Sequence, residues 1–148
     1  MKRVVFIGFI ISLLIGRCAE QEVKSPNEGA WKVVHWIRVT ADTLQWEFPA
    51  NFTGSEMKVW SKNHFAFSGR YKMDTVFIDN CGGGSYKLEG THYEESYLYF
   101  LNAQSLVGTS QRLLLEVKND TLIQTWPVNE NWQVDRSNYN IQKLIKLE

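Results

Sequence analysis

Alternate residues in several stretches of this chain gather phenols and other aromatic rings around one carboxylate. Side chains two apart in an extended strand share a face, so Tyr93, Glu95, Tyr97 and Tyr99 point the same way. Phe65, Phe67 and Tyr71 repeat that spacing, as do Tyr86 and Leu88, and Leu122, Gln124 and Trp126. Such faces combine a large apolar area with a few hydroxyl and amide handles. A carboxylate among them is costly unless it is paired. Glu95, with Gln124, therefore reads as a lone polar anchor inside an apolar pocket. The expected ligand-binding set is Phe65, Phe67 and Tyr71 on one strand, Tyr86 on the next, Tyr93, Glu95 and Tyr97 on a third, and Gln124 and Trp126 on a fourth. The alternative is a filled interior in which tyrosine hydroxyls and Gln124 satisfy Glu95 with no ligand.

Acid–base catalysis needs a perturbed carboxyl in a cleft and a second group to work with. With one inward carboxylate and no nucleophile–base pair, the expectation is a binding protein and not an enzyme. An isomerase or hydrolase using Glu95 with a tyrosine is the enzymatic alternative. His35, His64 and His92 lie on separate stretches, and His64 and His92 fall opposite the aromatic faces, so they read as outward. There is no CxxC, HxH or HExxH, and neither a metal nor a cofactor is expected. The run Asp79-Asn80-Cys81-Gly82-Gly83-Gly84 has the glycines of a phosphate loop but no helix to follow it. It reads as a sharp turn or bulge, with Cys81 as a turn residue.

The elements that must position these side chains are strands. Apolar residues recur at period two in short segments rich in β-branched and aromatic residues. The segments are 31–39, 57–61, 64–71, 75–78, 85–89, 91–101, 112–118, 121–126 and 139–147. Gly90 and the pair Asn119-Asp120 mark tight hairpins. Residues 44–48 fit either a strand or a lid over a barrel mouth. The 148 residues suit a single core, and consecutive strands of this number predict an antiparallel up-and-down β-barrel. A β-sandwich is the alternative.

The N-terminus carries Lys2 and Arg3 and then an apolar run from Val4 to Ile15, the pattern of a signal peptide over residues 1–17. The sequence Leu14-Ile15-Gly16-Arg17-Cys18 is similar to a bacterial lipobox, which makes Cys18 the candidate for lipidation. Arg17 departs from the small residue usual before the cysteine, and ordinary cleavage would instead leave a soluble periplasmic protein. Residues 18–28 read as a flexible tether and 29–148 as the folded domain. The expected location is the periplasm or, as a lipoprotein, the outer membrane. With Cys18 acylated, Cys81 is left single; a disulfide between the two is the alternative. The chain has 16 basic and 16 acidic side chains, and cleavage removes three cations and no acid. No basic excess remains for nucleic acid or for an anionic membrane surface, so any membrane attachment is through the lipid anchor.

Gly29-Ala30-Trp31 opens the first strand and resembles the G-x-W signature of lipocalins and their calycin relatives. That resemblance implies that Trp31 packs across the closed end of a barrel under a basic side chain from the last strand. Lys143 and Lys146 are the candidates. Residues 29–34, WSKNHFAF (60–67), GGSYKLEGTHYEE (83–95) and NDTLIQTWPVNENW (119–132) resemble a family of lipocalin-like domains of unknown function in exported proteins of gut-type Gram-negative bacteria. The resemblance implies fold and compartment and brings no catalytic residues. The function expected is an exported, membrane-tethered binding protein that holds a small apolar or aromatic molecule in the barrel interior. The alternative is a solid barrel serving as a structural or protein-interaction module of the cell envelope. An exposed patch of Trp36, Trp46, Trp60 and Trp132 would favour the latter.

Overall fold

The computed structural model describes residues 24–147. The expected signal peptide (1–17) and the candidate lipidation site Cys18 lie outside the described residues. Nine strands follow in order: β1 (Gly29–Thr40), β2 (Thr43–Phe48), β3 (Thr53–Trp60), β4 (His64–Met73), β5 (Val76–Glu89), β6 (His92–Phe100), β7 (Ser110–Lys118), β8 (Thr121–Trp126) and β9 (Asn138–Lys146). A single 3₁₀ turn, Gln104–Leu106, sits between β6 and β7.

The period-two pattern is what folds. Along β4, Phe65, Phe67 and Tyr71 are buried while His64, Ala66, Ser68 and Arg70 are exposed. Each strand from β3 to β8 pairs antiparallel with its successor, and β9 returns to pair with β1 from Trp31↔Lys146 to Thr40↔Asn138. The sheet is thus closed on itself as an eight-stranded up-and-down barrel with one extra strand, and the sandwich alternative is set aside. The extra strand is β2. The first residues of β1, Gly29 to Lys32, pair with β3, whereas Trp36 to Thr40 pair with β2. Residues 44–48 are therefore strand throughout, filling the edge of β1 that β3 leaves.

The glycine run is a correction to the sequence reading. Residues 75–78 and 85–89 are not separate strands joined by a turn. β5 runs unbroken for 14 residues, and Cys81 sits within it opposite Ser68, unpaired among the described residues. The bulge is real, at Gly83/Gly84 against β6. The glycines are there because the barrel is crowded. A Cβ on Gly82 would lie 2.5 Å from Phe67 Cζ, and one on Gly84 would lie 1.9 Å from the Ser96 carbonyl oxygen. The hairpin positions are as expected: Gly90 has φ +63° and Asn119 has φ +55°.

One end of the barrel is sealed by aromatics. Trp31 is fully buried, its Nε1 donates to the Asn27 carbonyl (2.8 Å), and Lys146 Nζ lies 5.6 Å from its ring centre. Lys143 does not take that place. It is three residues from Lys146, on the opposite face of β9, and is exposed. Trp60 Nε1 donates to Tyr93 OH (2.9 Å), and Tyr93 stacks on Tyr86. Fully burying each large apolar side chain contributes about 1.5–3 kcal/mol. Residues 24–28 are also part of this end: Ser25 N donates to Glu28 Oε1 (2.9 Å), and Asn27 is fully buried. The folded body therefore starts before residue 29, and that part of the expected tether is a cap.

Candidate functional site

The polar centre of the interior begins on β3. Its burial alternates so that Glu56, Lys58 and Trp60 face inward, while Met57 and Val59 are exposed. Lys58 is 5% exposed and Glu95 is 3% exposed. Lys58 Nζ donates to Glu95 Oε2 (3.0 Å) and lies 3.4 Å from Gln124 Oε1. Four rings, those of Trp60, Phe65, Phe67 and Tyr93, surround the ammonium at 5.0–5.9 Å. A cation so far from water is held by its carboxylate and by ring faces. Tyr97 OH donates a short hydrogen bond to the other Glu95 oxygen, Oε1. Both oxygens of Glu95 therefore have protein donors.

Glu56 forms a second polar cluster. Its Oε2 accepts from Asn80 Nδ2 (2.6 Å) and Tyr71 OH (3.3 Å), and its Oε1 accepts from Gln142 Nε2 (3.4 Å). Burial pushes this carboxyl above its ordinary range, although Asn80, Lys58, Tyr71 and Gln142 each pull the other way. Burial and the neighbouring carboxylates push the hydroxyls of Tyr71 and Tyr97 far up, so both stay protonated as donors.

Glu56, Lys58, Asn80, Glu95, Tyr97, Gln124 and Gln142 line a cavity of about 200 Å³, with Trp36, Phe67, Phe100, Leu113 and Trp126 among its apolar walls. A second, apolar cleft of about 240 Å³ adjoins it between Trp46, Phe52, Tyr71 and Ile78, sharing Trp36, Asn80, Phe100 and Ala103 with the first. A cavity of roughly 150 Å³ lined by aliphatic and aromatic side chains admits benzene. Each of the two adjoining spaces is larger than that.

Of the nine expected ligand-binding residues, Phe67, Glu95, Tyr97, Gln124 and Trp126 line the cavity, and Tyr71 lines the cleft. Phe65, Tyr86 and Tyr93 line neither; they are packed in the core, with the Tyr86 hydroxyl donating to the Ser61 carbonyl (2.7 Å). Glu95 is not a lone inward carboxylate, because Glu56 is buried as well and Lys58 neutralises Glu95. Glu56, Lys58, Asn80 and Gln142 were missed. On β3 the apolar residues Met57 and Val59 face out, so choosing the more apolar face selects the wrong side. Trp60, in step with Glu56 and Lys58, carries the signal for the correct one.

The histidines stand apart. His35 Nε2 meets Glu47 Oε1 at 2.8 Å, His64 is exposed on β4, and His92 stacks on Trp132 at 4.2 Å. No group of three or more metal-ligating residues occurs among the described residues. Trp60 is buried, and Trp36 and Trp46 pack against the core, so the four tryptophans form no exposed patch.

Compared with models of known protein families, the chain matches none, and comparison with curated proteins returns no significant match.

Proposed function

We propose that this chain is an exported, membrane-tethered binding protein that carries a small aromatic or apolar molecule in its barrel interior. The observation that carries the reading is the pair of adjoining spaces, one polar at Lys58, Glu95 and Glu56 and one apolar at Trp46 and Phe52. Apolar walls with a few convergent polar groups are the usual make-up of a ligand site. Binding without chemistry suits the centre, since both oxygens of Glu95 already have protein donors. The signal-like N-terminus and the likeness to exported lipocalin-like domains support the compartment.

Titration with N-phenyl-1-naphthylamine, an uncharged fluorophore that brightens in apolar surroundings, tests the reading. Saturable binding at one site is expected. Ala103→Trp, at the boundary shared by both spaces, should weaken it about tenfold or more by filling the volume. Emission that never saturates, or that ignores Ala103→Trp, contradicts it.

A second reading, an interaction module of the envelope, draws on the outer surface. Val76, Phe77, Leu98 and Leu101 are each more than half exposed on or beside β5 and β6, more apolar surface than a free barrel needs. Under that reading Phe77→Ser and Leu98→Ser would abolish partner capture and leave fluorophore binding unchanged.

A further inference from the structure

Three buried side-chain donors among the described residues have no protein acceptor: Asn27 Nδ2 at the closed end, Trp36 Nε1 and Gln124 Nε2. The last two belong to side chains that line the interior cavity. The orientation of Gln124 follows from its neighbour. Lys58 can only donate and sits 3.4 Å from Gln124 Oε1. The amide oxygen must face the ammonium, because the rotated amide would set NH₂ against NH₃⁺. That leaves the NH₂ group without a partner at a site 2% exposed. The indole N–H of Trp36 is likewise a donor only.

A buried donor left unsatisfied costs more than an ordinary hydrogen bond contributes. Water can meet such a donor in an empty cavity, but a ligand that displaces the water must bring an acceptor of its own. The charges among the lining residues narrow the choice further. Glu56 and Glu95 face one ammonium, Lys58, which Glu95 already holds. An incoming carboxylate would stand beside two others with no free cation to receive it.

We infer that the interior selects uncharged molecules bearing a carbonyl, ether or hydroxyl oxygen on an aromatic or alicyclic body, the oxygen accepting from Gln124 Nε2 or Trp36 Nε1. The inference rests on the binding function proposed above and adds the ligand's chemical class. Apolar area alone would admit hydrocarbons and fatty acids equally. The two orphaned donors favour an acceptor, and two buried acidic groups whose one neighbouring cation is already held by Glu95 disfavour an anion.

Calorimetric titration of the purified chain with 2-acetylnaphthalene, 2-ethylnaphthalene and 2-naphthoate separates these cases. The ketone should bind about tenfold more tightly than the ethyl compound, the ratio set by one added hydrogen bond, and the naphthoate should bind more weakly than the ketone. Gln124→Leu should remove most of the preference for the ketone while still binding 2-ethylnaphthalene. In ¹H–¹⁵N spectra the Trp36 indole resonance, assigned by its loss in Trp36→Phe, should move further with the ketone than with the ethyl compound. Equal affinity for ketone and ethyl compound, or tightest binding of the naphthoate, overturns the inference and leaves the binding function standing. If none of the three binds, the binding function falls and takes the inference with it.

Discussion

Lys58 on β3 and Glu95 on β6 are separated by two intervening strands, yet their charged groups meet at 3.0 Å across the barrel lumen. The pair ties opposite walls together, and both side chains are almost wholly withdrawn from water. Its Coulombic gain must offset a large desolvation cost. The two residues therefore depend on each other more than either contributes alone.

Lys58→Met should destabilise the fold by about 3–5 kcal/mol, because it strands the Glu95 carboxylate in the interior. Adding Glu95→Gln removes the stranded charge and should recover much of the loss. Urea denaturation of the wild type, both single variants and the double variant gives the coupling. Additive single and double effects would mean that the pair does not act as a unit.

Stability should depend on pH through Glu56. Burial raises its carboxyl above the usual value near 4.5, so the folded state holds the proton more tightly than the unfolded chain does. The stabilisation this contributes is present below the unfolded value and is lost as pH rises through the folded one. Glu56→Gln never ionises. Its melting temperature relative to wild type should therefore climb as pH rises above the unfolded value near 4.5. A relative melting temperature that falls over that range contradicts the assignment.

The glycines should rank by crowding and not by backbone angle. Gly84→Ala places a Cβ against the Ser96 carbonyl and should cost about 3 kcal/mol or more. Gly90 has open space around it but a positive φ, so Gly90→Ala should cost about 1–2 kcal/mol. Denaturation midpoints in the reverse order would place the strain at the hairpin.

At the closed end, Trp31→Phe should cost about 1–3 kcal/mol, since it leaves the Asn27 carbonyl without its donor. Lys146→Met keeps most of the side chain's length and removes only the cation over the ring, so about 0.5–1 kcal/mol is expected. An equal loss in Lys143→Met, measured by the same thermal melts, would contradict the placement of Lys146.

Alternation made most of the barrel legible. Phe65, Phe67 and Tyr71, and Tyr93, Glu95 and Tyr97, could be assigned to one face because their neighbours are polar or small. β3 resisted for the opposite reason. Its inner face carries Glu56 and Lys58 and its outer face Met57 and Val59, and only the closure of the barrel across β6 supplies the partner that makes a buried lysine tolerable. β5 resisted because glycine is a turn signal in a sequence. Only groups brought in from neighbouring strands explain why a long strand needs three glycines in a row: the Phe67 ring at Gly82, the Phe65 carbonyl and Tyr99 ring at Gly83, and the Ser96 carbonyl at Gly84. The division of the aromatics between cavity wall and packed core was not legible either, since alternation gives a face but not a height along the barrel.

The central claim is that the interior holds a ligand. Bromine anomalous scattering from a crystal soaked in 2-bromonaphthalene tests it most directly. A single bromine peak is expected inside the barrel, within van der Waals distance of side chains such as Trp36, Phe100 or Ala103. Side chains filling that space with no bromine, or bromine only on the outer faces of β5 and β6, would contradict the account.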